Sequence, residues 1–388
     1  MSARYRARQL ARLLLGAALV ASLLPWGHGL AARQANELAE DDFLTRVRRI
    51  TIEGRRAGEG YFSPDGTKMV IQSEREEGNP FYQIYELDLV TGDSRRVSPG
   101  HGKTTCAFFR PGTLDIMFSS THHDPRSMAL QSEELAFRAS GQERRYAWDY
   151  DPEMEIYVEE ADSGALTRLT DVRGYDAEGS YSPDGEWIVF SSMRDAYDRE
   201  LSADQARQLD ADPSYFGEIY IMRADGSDQR RLTDVPGYDG GPFFSPDGSR
   251  IVWRRFDESG LVADVWSMNP DSTDARLITD FGSMSWAPYT HPSGEYIFFA
   301  SNKLGFTNFE VFIVDSAGLK TPVRVTYTDG FDGLPVPSPD GRSLAWTSSR
   351  GGGDGAQIYM ATWDHDRAIA ALTAQAPRTS TPSAEAGR

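Results

Sequence analysis

The stretch RRLTDVPGYDGGPFFSPDGSRIVW, residues 230–253, decides the fold, because a near copy, TRLTDVRGYDAEGSYSPDGEWIVF, stands at residues 167–190. Both contain Ser-Pro-Asp-Gly, a tight-turn sequence in which proline presets φ and glycine supplies a conformation that side chains resist. The proline of this turn, or of its variants, recurs with spacings of 47, 72, 63, 46 and 47 residues, at Pro64, Pro111, Pro183, Pro246, Pro292 and Pro339. A base period near 46 with two lengthened units indicates a repeat architecture.

Each unit contains the same four strand patterns. A short strand leads into the turn, and a β-branched or aromatic strand such as EWIVFSS or RIVWRR follows it. A third strand carries a large aromatic residue, and a fourth ends in a pattern such as TRLT or RRLT. Six units of four antiparallel strands predict an all-β fold, a six-bladed β-propeller. Helical solenoids need a period of 3.6 residues, and parallel β-helices have much shorter repeats.

The sixth unit lacks its fourth strand. Its third strand, QIYMATW, is followed by DHDRAIAAL, whereas VRRITIEG at residues 47–54 matches the fourth-strand pattern. The sequence therefore predicts that an N-terminal strand completes the last blade and closes the ring, since an open ring would leave its terminal blades without neighbours.

The pattern SPDG–strand–S-x-R–(I/V)Y–turn–RLT resembles the WD40-like (PD40) repeat of TolB-like six-bladed β-propellers, over residues 46–372. The resemblance implies the fold and, by similarity to TolB, protein interactions in the cell envelope. The same propeller occurs joined to peptidase domains and in oligogalacturonate lyases, which are metal-dependent. The repeat is therefore specific for the fold and weak for function.

The two ends of the chain read differently from the repeats. Residues 1–32 combine a basic start, the apolar run LLLGAALVASLLPW and small residues, which predicts a signal peptide and a periplasmic or secreted protein. The apolar run would span about 21 Å as a helix, too short for a stable transmembrane segment. Residues 33–45 are expected to lead into the propeller, and 373–388, rich in Ala, Pro, Ser and Thr, to be disordered.

The net charge and the cysteine content argue against a nucleic-acid-binding protein and against a fold held by disulfides. The formal net charge of −18 argues against a nucleic-acid partner. Cys106 is the single cysteine, so no intrachain disulfide can form, and we expect it to pack in a strand as a small apolar residue.

Both long insertions fall between the second and third strands, about 121–153 in blade 2 and 194–216 in blade 3. These loops share one face of the ring, here called the insertion face, and the SPDG turns share the other. A short helix is predicted to start near Ser202. The insertions either form a recognition wall or pack down as loop filler, and their aromatic residues are Tyr146, Trp148, Tyr150, Tyr197, Tyr215 and Phe216.

Charged residues recur at two further positions of the repeat. Aspartates that we expect to rim the central channel precede three inner strands, at Asp176, Asp239 and Asp332. Basic residues follow the second strand in five blades, at Arg75, His122, Arg194, Lys303 and Arg350. These sets either form salt bridges between neighbouring blades or make a channel mouth that holds a ligand's charged groups. A calcium ion bridging the aspartates is a further alternative.

Several functions stay open at this point. Histidines of blade 2 with a neighbouring carboxylate could bind a transition metal such as manganese, at His101, His122, His123 and Asp124. No nucleophile elbow or zinc-protease helix is present. The leading hypothesis is an exported, non-enzymatic propeller without a cofactor, binding a protein, peptide or glycan on the insertion face. The alternatives are a metal-dependent oligosaccharide lyase or hydrolase, and an accessory propeller for a separate hydrolase.

Overall fold

Six four-stranded antiparallel sheets form the framework of the chain that the computed structural model describes, residues 38–142, 148–352 and 355–378. The first strand, β1 (Leu44–Arg49), belongs to the last sheet. Blade 1 consists of β2 (Arg56–Phe62), β3 (Lys68–Glu74), β4 (Gln83–Asp88) and β5 (Ser94–Arg96). Blade 2 consists of β6 (Thr104–Phe109), β7 (Ile116–Ser120), β8 (Glu155–Glu159) and β9 (Leu166–Arg168). Blade 3 consists of β10 (Ala177–Tyr181), β11 (Trp187–Ser192), β12 (Glu218–Arg223) and β13 (Arg230–Arg231). Blade 4 consists of β14 (Asp239–Phe244), β15 (Ile251–Phe256), β16 (Ala263–Met268) and β17 (Arg276–Leu277). Blade 5 consists of β18 (Ser285–Thr290), β19 (Tyr296–Ser301), β20 (Glu310–Asp315) and β21 (Val323–Arg324). Blade 6 consists of β22 (Asp332–Pro337), β23 (Ser343–Ser348), β24 (Gln357–Trp363) and β1.

The first strand of each blade is the inner strand of a closed ring. Each inner strand contacts the inner strands of both neighbouring blades, and β22 of the last blade contacts β2 of the first. This contact closes the circle, so the predicted six-bladed β-propeller is confirmed. Between the blades, apolar side chains from adjacent sheets pack into shared clusters, as Met117 of blade 2 does with Ile188 of blade 3.

The Ser-Pro-Asp-Gly turns connect the first two strands of their blades as their sequence predicts. In blade 1 the Ser63 hydroxyl donates to the Asp65 carboxylate at 2.6 Å, and Gly66 has φ = 72°. The turn prolines of all six blades line one depression around the axis, on the face opposite the insertions.

A hydroxyl at the end of each fourth strand fixes that strand to the third. In blade 3, for example, the Thr233 hydroxyl accepts a hydrogen bond from the backbone N–H of Ile219 at 2.9 Å. Blade 6 has the same bond, from the N–H of Ile358 to the hydroxyl of Thr51 at 2.9 Å, although these residues stand 307 positions apart. The backbone N–H of Ile50 also donates to the Ile358 carbonyl at 2.9 Å. The N-terminal strand therefore completes the last blade as predicted.

The closing segment is longer than the sequence pattern indicates. Strand β1 begins at Leu44, two residues before the predicted start of the propeller at 46. Phe43, just before it, is fully buried and stacks on Trp363 with ring centroids 5.9 Å apart. The pattern match began at residue 47 because these apolar contacts have no counterpart in the other repeats.

Part of the predicted disordered tail is ordered. Lys320 forms an isolated bridge with Pro377, and Arg378 pairs with Asp280 at 2.7 Å. The prediction of disorder is therefore wrong for residues 373–378, because Thr373 ends a helix and backbone pairing and an ion pair hold the residues that follow. Residues 1–37 and 379–388, with the predicted signal peptide and the rest of the tail, lie outside the described residues.

In the part of the chain that the structure describes, three α-helices accompany the ring, α1 (Ser127–Ala139), α2 (Ala203–Ala211) and α3 (His365–Thr373). Ser202 caps α2 by accepting a hydrogen bond from the Gln205 backbone, which confirms the predicted helix start. Helix α1 in the blade 2 insertion was not predicted. Within the described ranges, every helix is too short or too polar to cross a bilayer.

Candidate binding site in the central channel

Every inner strand is bulged at the same repeat position. The pairing of the first and second strands slips by one residue in all six blades, five residues before the turn proline. The residues at this position have left-handed φ values of 46–60° and all line one cavity on the axis. A bulge re-aims the residue that forms it, and here it turns one residue from each blade toward the axis. We call these residues the bulge ring: Glu59, Cys106, Glu178, Gly241, Ala287 and Leu334.

Aromatic side chains close the channel on the side of the SPDG turns. Tyr61 of blade 1 and Phe243 of blade 4 come from opposite sides of the ring, yet their ring centroids lie 5.5 Å apart. Tyr289 packs on both, at 6.1 Å and 5.0 Å. Because these rings meet across the axis, they form an aromatic floor. The cavity above it measures about 30 Å³, room for roughly two water molecules.

A buried ion pair between neighbouring blades crosses the cavity. Both carboxylate oxygens of Glu178 accept hydrogen bonds from one Arg254 nitrogen, Nη2, at 2.9 Å, and the Tyr238 hydroxyl donates to the same carboxylate at 2.7 Å. Burial alone would lower the pKa of Arg254, but the Glu178 charge, its hydrogen bond and the nearby Tyr238 and Tyr150 together outweigh it, so the pKa lies above its ordinary value. The guanidinium is therefore a permanent cation in the channel wall.

Gly241 leaves the space through which Arg254 reaches Glu178. A Cβ at this position would lie 2.1 Å from Arg254 Nη1, and the backbone has φ = 59°. We expect Gly241→Ala to lower the free energy of unfolding by about 2 kcal/mol or more, from backbone strain plus displacement of the guanidinium. Gly260→Ala is the matched control, because its φ is 67° and nothing lies within 4 Å of the added Cβ. Equal losses for the two variants, in urea unfolding, would contradict this role for Gly241.

Glu59 faces the same cavity without a cation. Its carboxyl group accepts hydrogen bonds from the Tyr61 hydroxyl at 2.8 Å and from the Cys106 thiol at 3.5 Å. Burial, and to a smaller extent the Glu178 charge, raise the pKa of Glu59 to about 7. Cys106 is buried in β6, as predicted, but its sulfur faces this carboxyl group instead of an apolar core.

One residue of the predicted aromatic wall lines the cavity, and another packs against tyrosines next to it. Trp148 lines the cavity and donates from Nε1 to the Tyr175 hydroxyl at 2.8 Å. Tyr150 packs edge-on against Tyr175 and Tyr238, each with ring centroids 5.2 Å apart. On the other side of the cavity, Trp286 has a buried Nε1 with no hydrogen-bond partner among the described residues.

The remaining predicted aromatic residues lie elsewhere. Tyr197 lies under Arg173, whose guanidinium carbon is 4.8 Å from the ring centroid. Tyr215 packs on Phe216 at 5.3 Å and lines a separate groove beside blade 4. Tyr146 lies outside the described residues.

A groove of about 700 Å³ between blade 1 and helix α1 adjoins the cavity. Trp148 lines both, so the two spaces meet at this side chain. The groove's charged side chains are paired with each other or with the blades, as in Arg138–Glu74 at 2.6 Å and Lys103–Asp149 at 2.6 Å. We call it the α1 groove, and its aromatic wall consists of Phe81, Tyr82, Phe137 and Trp148.

The three predicted channel aspartates do not face the channel. Asp176, Asp239 and Asp332 are at most 1% exposed, and each pairs with an arginine of its own blade. The expectation that they rim the channel is therefore wrong, and so is the alternative of salt bridges between neighbouring blades. The bulge is the reason, because one extra residue in the inner strand shifts its alternation. In blades 3 and 4 the tyrosines one position earlier, Tyr175 and Tyr238, reach the Glu178 carboxylate instead. The arginine partners are Arg194, Arg255 and Arg350.

The other predicted basic residues are also dispersed. Arg75 pairs with Glu53 at 3.0 Å and lies over Tyr85, while Lys303 is exposed over Phe281, 3.7 Å from its ring centroid. None of the five lines the axial cavity. His122 packs on a tyrosine of β8 with ring centroids 4.4 Å apart.

The histidines of blade 2 lie near each other without forming a metal-ligand cluster. The ring centroid of His122 is 6.0 Å from that of His101 and 6.2 Å from that of His123, while Asp124 pairs with Arg126. Burial lowers the pKa of His122 to about 4. In the ranges that the structure describes, no group of three or more His, Cys, Asp or Glu side chains is arranged to hold a metal ion.

Comparisons with known sequences give partial matches. No family model matches the chain. An uncharacterized protein of Agrobacterium fabrum is 32% identical over 209 residues, which is 50% of this chain and 64% of that protein. A TolB homolog of Chlorobium luteolum is 30% identical over 122 residues, 26% of this chain and 28% of that protein. The alignments thus span less than two thirds of the length of these relatives.

Solved structures share the fold. A TolB from Agrobacterium tumefaciens superposes with a TM-score of 0.55 at 20% identity, covering 82% of this chain and 94% of that one. A gluconolactonase of Xanthomonas campestris gives 0.53 at 13% identity, covering 83% and 91%. An oligogalacturonate lyase of Vibrio parahaemolyticus gives 0.50 at 12% identity, covering 83% and 94%. At these identities the likeness is one of fold alone, shared by proteins with different functions.

Proposed function

We propose that this chain, a six-bladed β-propeller of TolB-like fold, is an exported, non-enzymatic protein that binds a protein partner. The partner inserts a peptide segment into the α1 groove on the insertion face. The observation that carries this proposal is the groove itself, because segments outside the blades' regular strands contribute most of its wall. Export and an envelope location are favoured by the basic and apolar N-terminal sequence.

The size and lining of the groove suit a peptide. A volume of about 700 Å³ lies in the range of ligand sites, and aromatic anchors such as Phe137 and Trp148 are typical of binding hot spots. The ion pairs Arg138–Glu74 and Lys103–Asp149 already neutralise charged groups of the groove. The groove therefore offers apolar contact area with hydrogen-bonding edges rather than a strong field of one sign.

Helix α1 supports a direct test with a matched control. Phe137→Ala removes a groove side chain, whereas Leu135→Ala removes a neighbouring side chain of the same helix that is 37% exposed and does not line the groove. We expect Phe137→Ala to weaken partner binding about tenfold or more, equivalent to ~1.4 kcal/mol, with Leu135→Ala unchanged. The partner would be captured from cell-envelope extract, identified by mass spectrometry, purified, and titrated by calorimetry with and without a chelator.

The proposal fails if Phe137→Ala binds the purified partner like the unsubstituted protein while its thermal unfolding is unchanged. A glycan occupant is the other outcome to examine, since aromatic side chains also bind sugars. In that case envelope oligosaccharides, and no protein, would bind in a manner that depends on Phe137. Binding that disappears with the chelator would indicate a required metal ion.

The channel geometry favours one alternative, cleavage of an oligosaccharide. Glu59 is a buried carboxyl group with a pKa of about 7, a property of acid–base catalysts. Assays of pectic oligosaccharides, with and without added Mn²⁺, would follow the ultraviolet absorbance of unsaturated products and the release of reducing ends. Turnover that Glu59→Gln abolishes would support this alternative over the binding function.

A further inference from the structure

The cavity above the aromatic floor contains one carboxyl group that forms no ion pair with the residues that the structure describes. Glu178 is satisfied by Arg254 and by the Tyr238 hydroxyl. Glu59 has only the hydroxyl of Tyr61 and the thiol of Cys106, and forms no ion pair with any described residue. An ionised carboxylate without a counter-ion is costly in a buried site, so it either holds a proton or meets a cation from outside.

The electrostatics around Glu59 favour a cation over an anion. The charged groups that act on it are Glu178 and Arg254, and of these Glu178 has the stronger effect. Its other neighbours, Tyr61 and Cys106, both have pKa values raised well above the ordinary ones by burial, so they stay neutral. A cation beside Glu59 would therefore be attracted by two carboxylates and repelled by one guanidinium, whose effect at Glu59 is weaker than that of Glu178.

The cavity has room for a small cationic group. Its volume of about 30 Å³ accommodates a compact ammonium group in place of roughly two water molecules. Trp148 and Trp286 line the walls, and indole faces attract ammonium groups and pack on methylene chains. The described residues around the cavity supply no ligand cluster for a metal ion.

We propose that the cavity binds a primary alkylammonium group, as at the end of a lysine side chain, with Glu59 as its counter-ion. The inference rests on the proposed function, because the peptide in the α1 groove would supply this lysine past Trp148, the side chain that lines both spaces. The groove would then contribute binding area, and the cavity would select for one lysine of the partner. Free amines have the same chemistry and are the competing source.

Cys106 provides a probe inside the site. It lines the cavity beside Glu59 and is the single cysteine of the chain, so intact-mass spectrometry reports its modification without ambiguity. Three methanethiosulfonates that share a two-carbon chain would be compared on the unmodified protein: cationic aminoethyl, neutral hydroxyethyl and anionic sulfonatoethyl. Rates are expressed relative to the neutral reagent, so that changes in thiol reactivity cancel.

We expect the cationic reagent to react about tenfold faster than the neutral one, and the anionic reagent to be slowest. Glu59→Gln should bring the ratio of cationic to neutral rates close to one. Glu133→Gln, which removes an exposed carboxylate of α1 outside the groove, should leave the ratio unchanged. The ratio should also rise as the pH is raised through about 7, because Glu59 then ionises.

A protection assay separates the two sources of the amine. The peptide Ala-Ala-Lys-Ala-Ala should slow the modification of Cys106 at lower concentration than n-butylammonium does, and its norleucine counterpart should not protect. Better protection by n-butylammonium than by the peptide would assign the site to free amines and overturn the lysine assignment.

Other outcomes would overturn the ammonium site as a whole. These are equal rates for the three reagents, no reaction of Cys106 with even the neutral reagent, or protection by Ca²⁺ and not by n-butylammonium. The proposed function fails separately. In that case charge selection at Cys106 persists, but Phe137→Ala changes neither protection by the peptide nor binding of the partner.

Discussion

Arg254→Met should lower the free energy of unfolding by about 3–5 kcal/mol, the largest effect we expect from a single change in the channel. The substitution keeps most of the side-chain volume but leaves the Glu178 carboxylate buried, with Glu178 only 6% exposed and no remaining cation. The loss would be measured by urea unfolding at neutral pH, followed by intrinsic fluorescence and by circular dichroism. Arg276→Met is the control, because its ion pair with Asp274 is exposed and contributes little.

The double variant Arg254→Met/Glu178→Gln isolates the ion pair itself. Because the neutral amide no longer needs a counter-ion and can still accept a hydrogen bond from Tyr238, the double variant should be more stable than Arg254→Met alone. Glu178→Gln is measured as the second single variant. If the losses in unfolding free energy of Arg254→Met and Glu178→Gln simply add in the double variant, the two residues are not coupled. The description of this pair as a mutually dependent bridge between blades 3 and 4 is then wrong.

The sequence was sufficient to predict the ring because its signals are local and repeated. Turn residues such as Asp65 and Gly66 act within four positions, and six copies of one pattern reinforce each other. The fourth-strand hydroxyl was also visible as the conserved end of RRLT-like patterns within the chain. That signal located Thr51 as the missing member, which the structure places against Ile358.

The site was less predictable because it depends on one backbone irregularity. The sequence-based prediction placed Asp176 at the channel rim because this residue stands where the chain enters the inner strand, six positions before the residue that precedes the turn proline. The bulge at Glu178 adds one residue, so Tyr175 and not Asp176 turns toward the axis. A one-residue slip reverses every side chain beyond it, and no residue type in the pattern announces it.

A weaker signal for the bulge ring was present in the alignment of the repeats. The position five residues before the turn proline contains Glu59, Cys106, Glu178 and three small or apolar residues, so it varies while its neighbours repeat. Every blade presents this position to the axis, but the residue type differs between blades. The propeller requires only the bulged backbone there, so the side chain can vary and take on a binding role. Trp148 could not be placed in the same way, because the insertion that contains it occurs in one blade only.

Phe43→Ala should open the seam of the ring, with a loss of about 3–5 kcal/mol in the free energy of unfolding. Phe43 is fully buried and stacks on Trp363, and its carbonyl accepts a hydrogen bond from the Asp364 N–H at 3.0 Å. Removing the phenyl ring of Phe43 leaves a cavity where the first and last strands meet. Strand β1 should therefore detach before the other blades unfold. Limited trypsin digestion would then cut at Arg46, within β1, much faster than in the unsubstituted protein.

Ile52→Ala serves as the control for the seam, because Ile52 follows the same strand but is 81% exposed, and its truncation should change stability by less than about 0.5 kcal/mol. Comparable losses for Phe43→Ala and Ile52→Ala, or unchanged cleavage within β1, would mean that the ring holds together without this contact. The channel is a second readout of closure. Because β22 and β2 meet at the seam and contribute Leu334 and Glu59 to the cavity, opening the seam should also accelerate modification of Cys106 by the neutral reagent. A destabilised Phe43→Ala variant with an unchanged Cys106 rate would show that the cavity keeps its shape even when the closing strand is loosened.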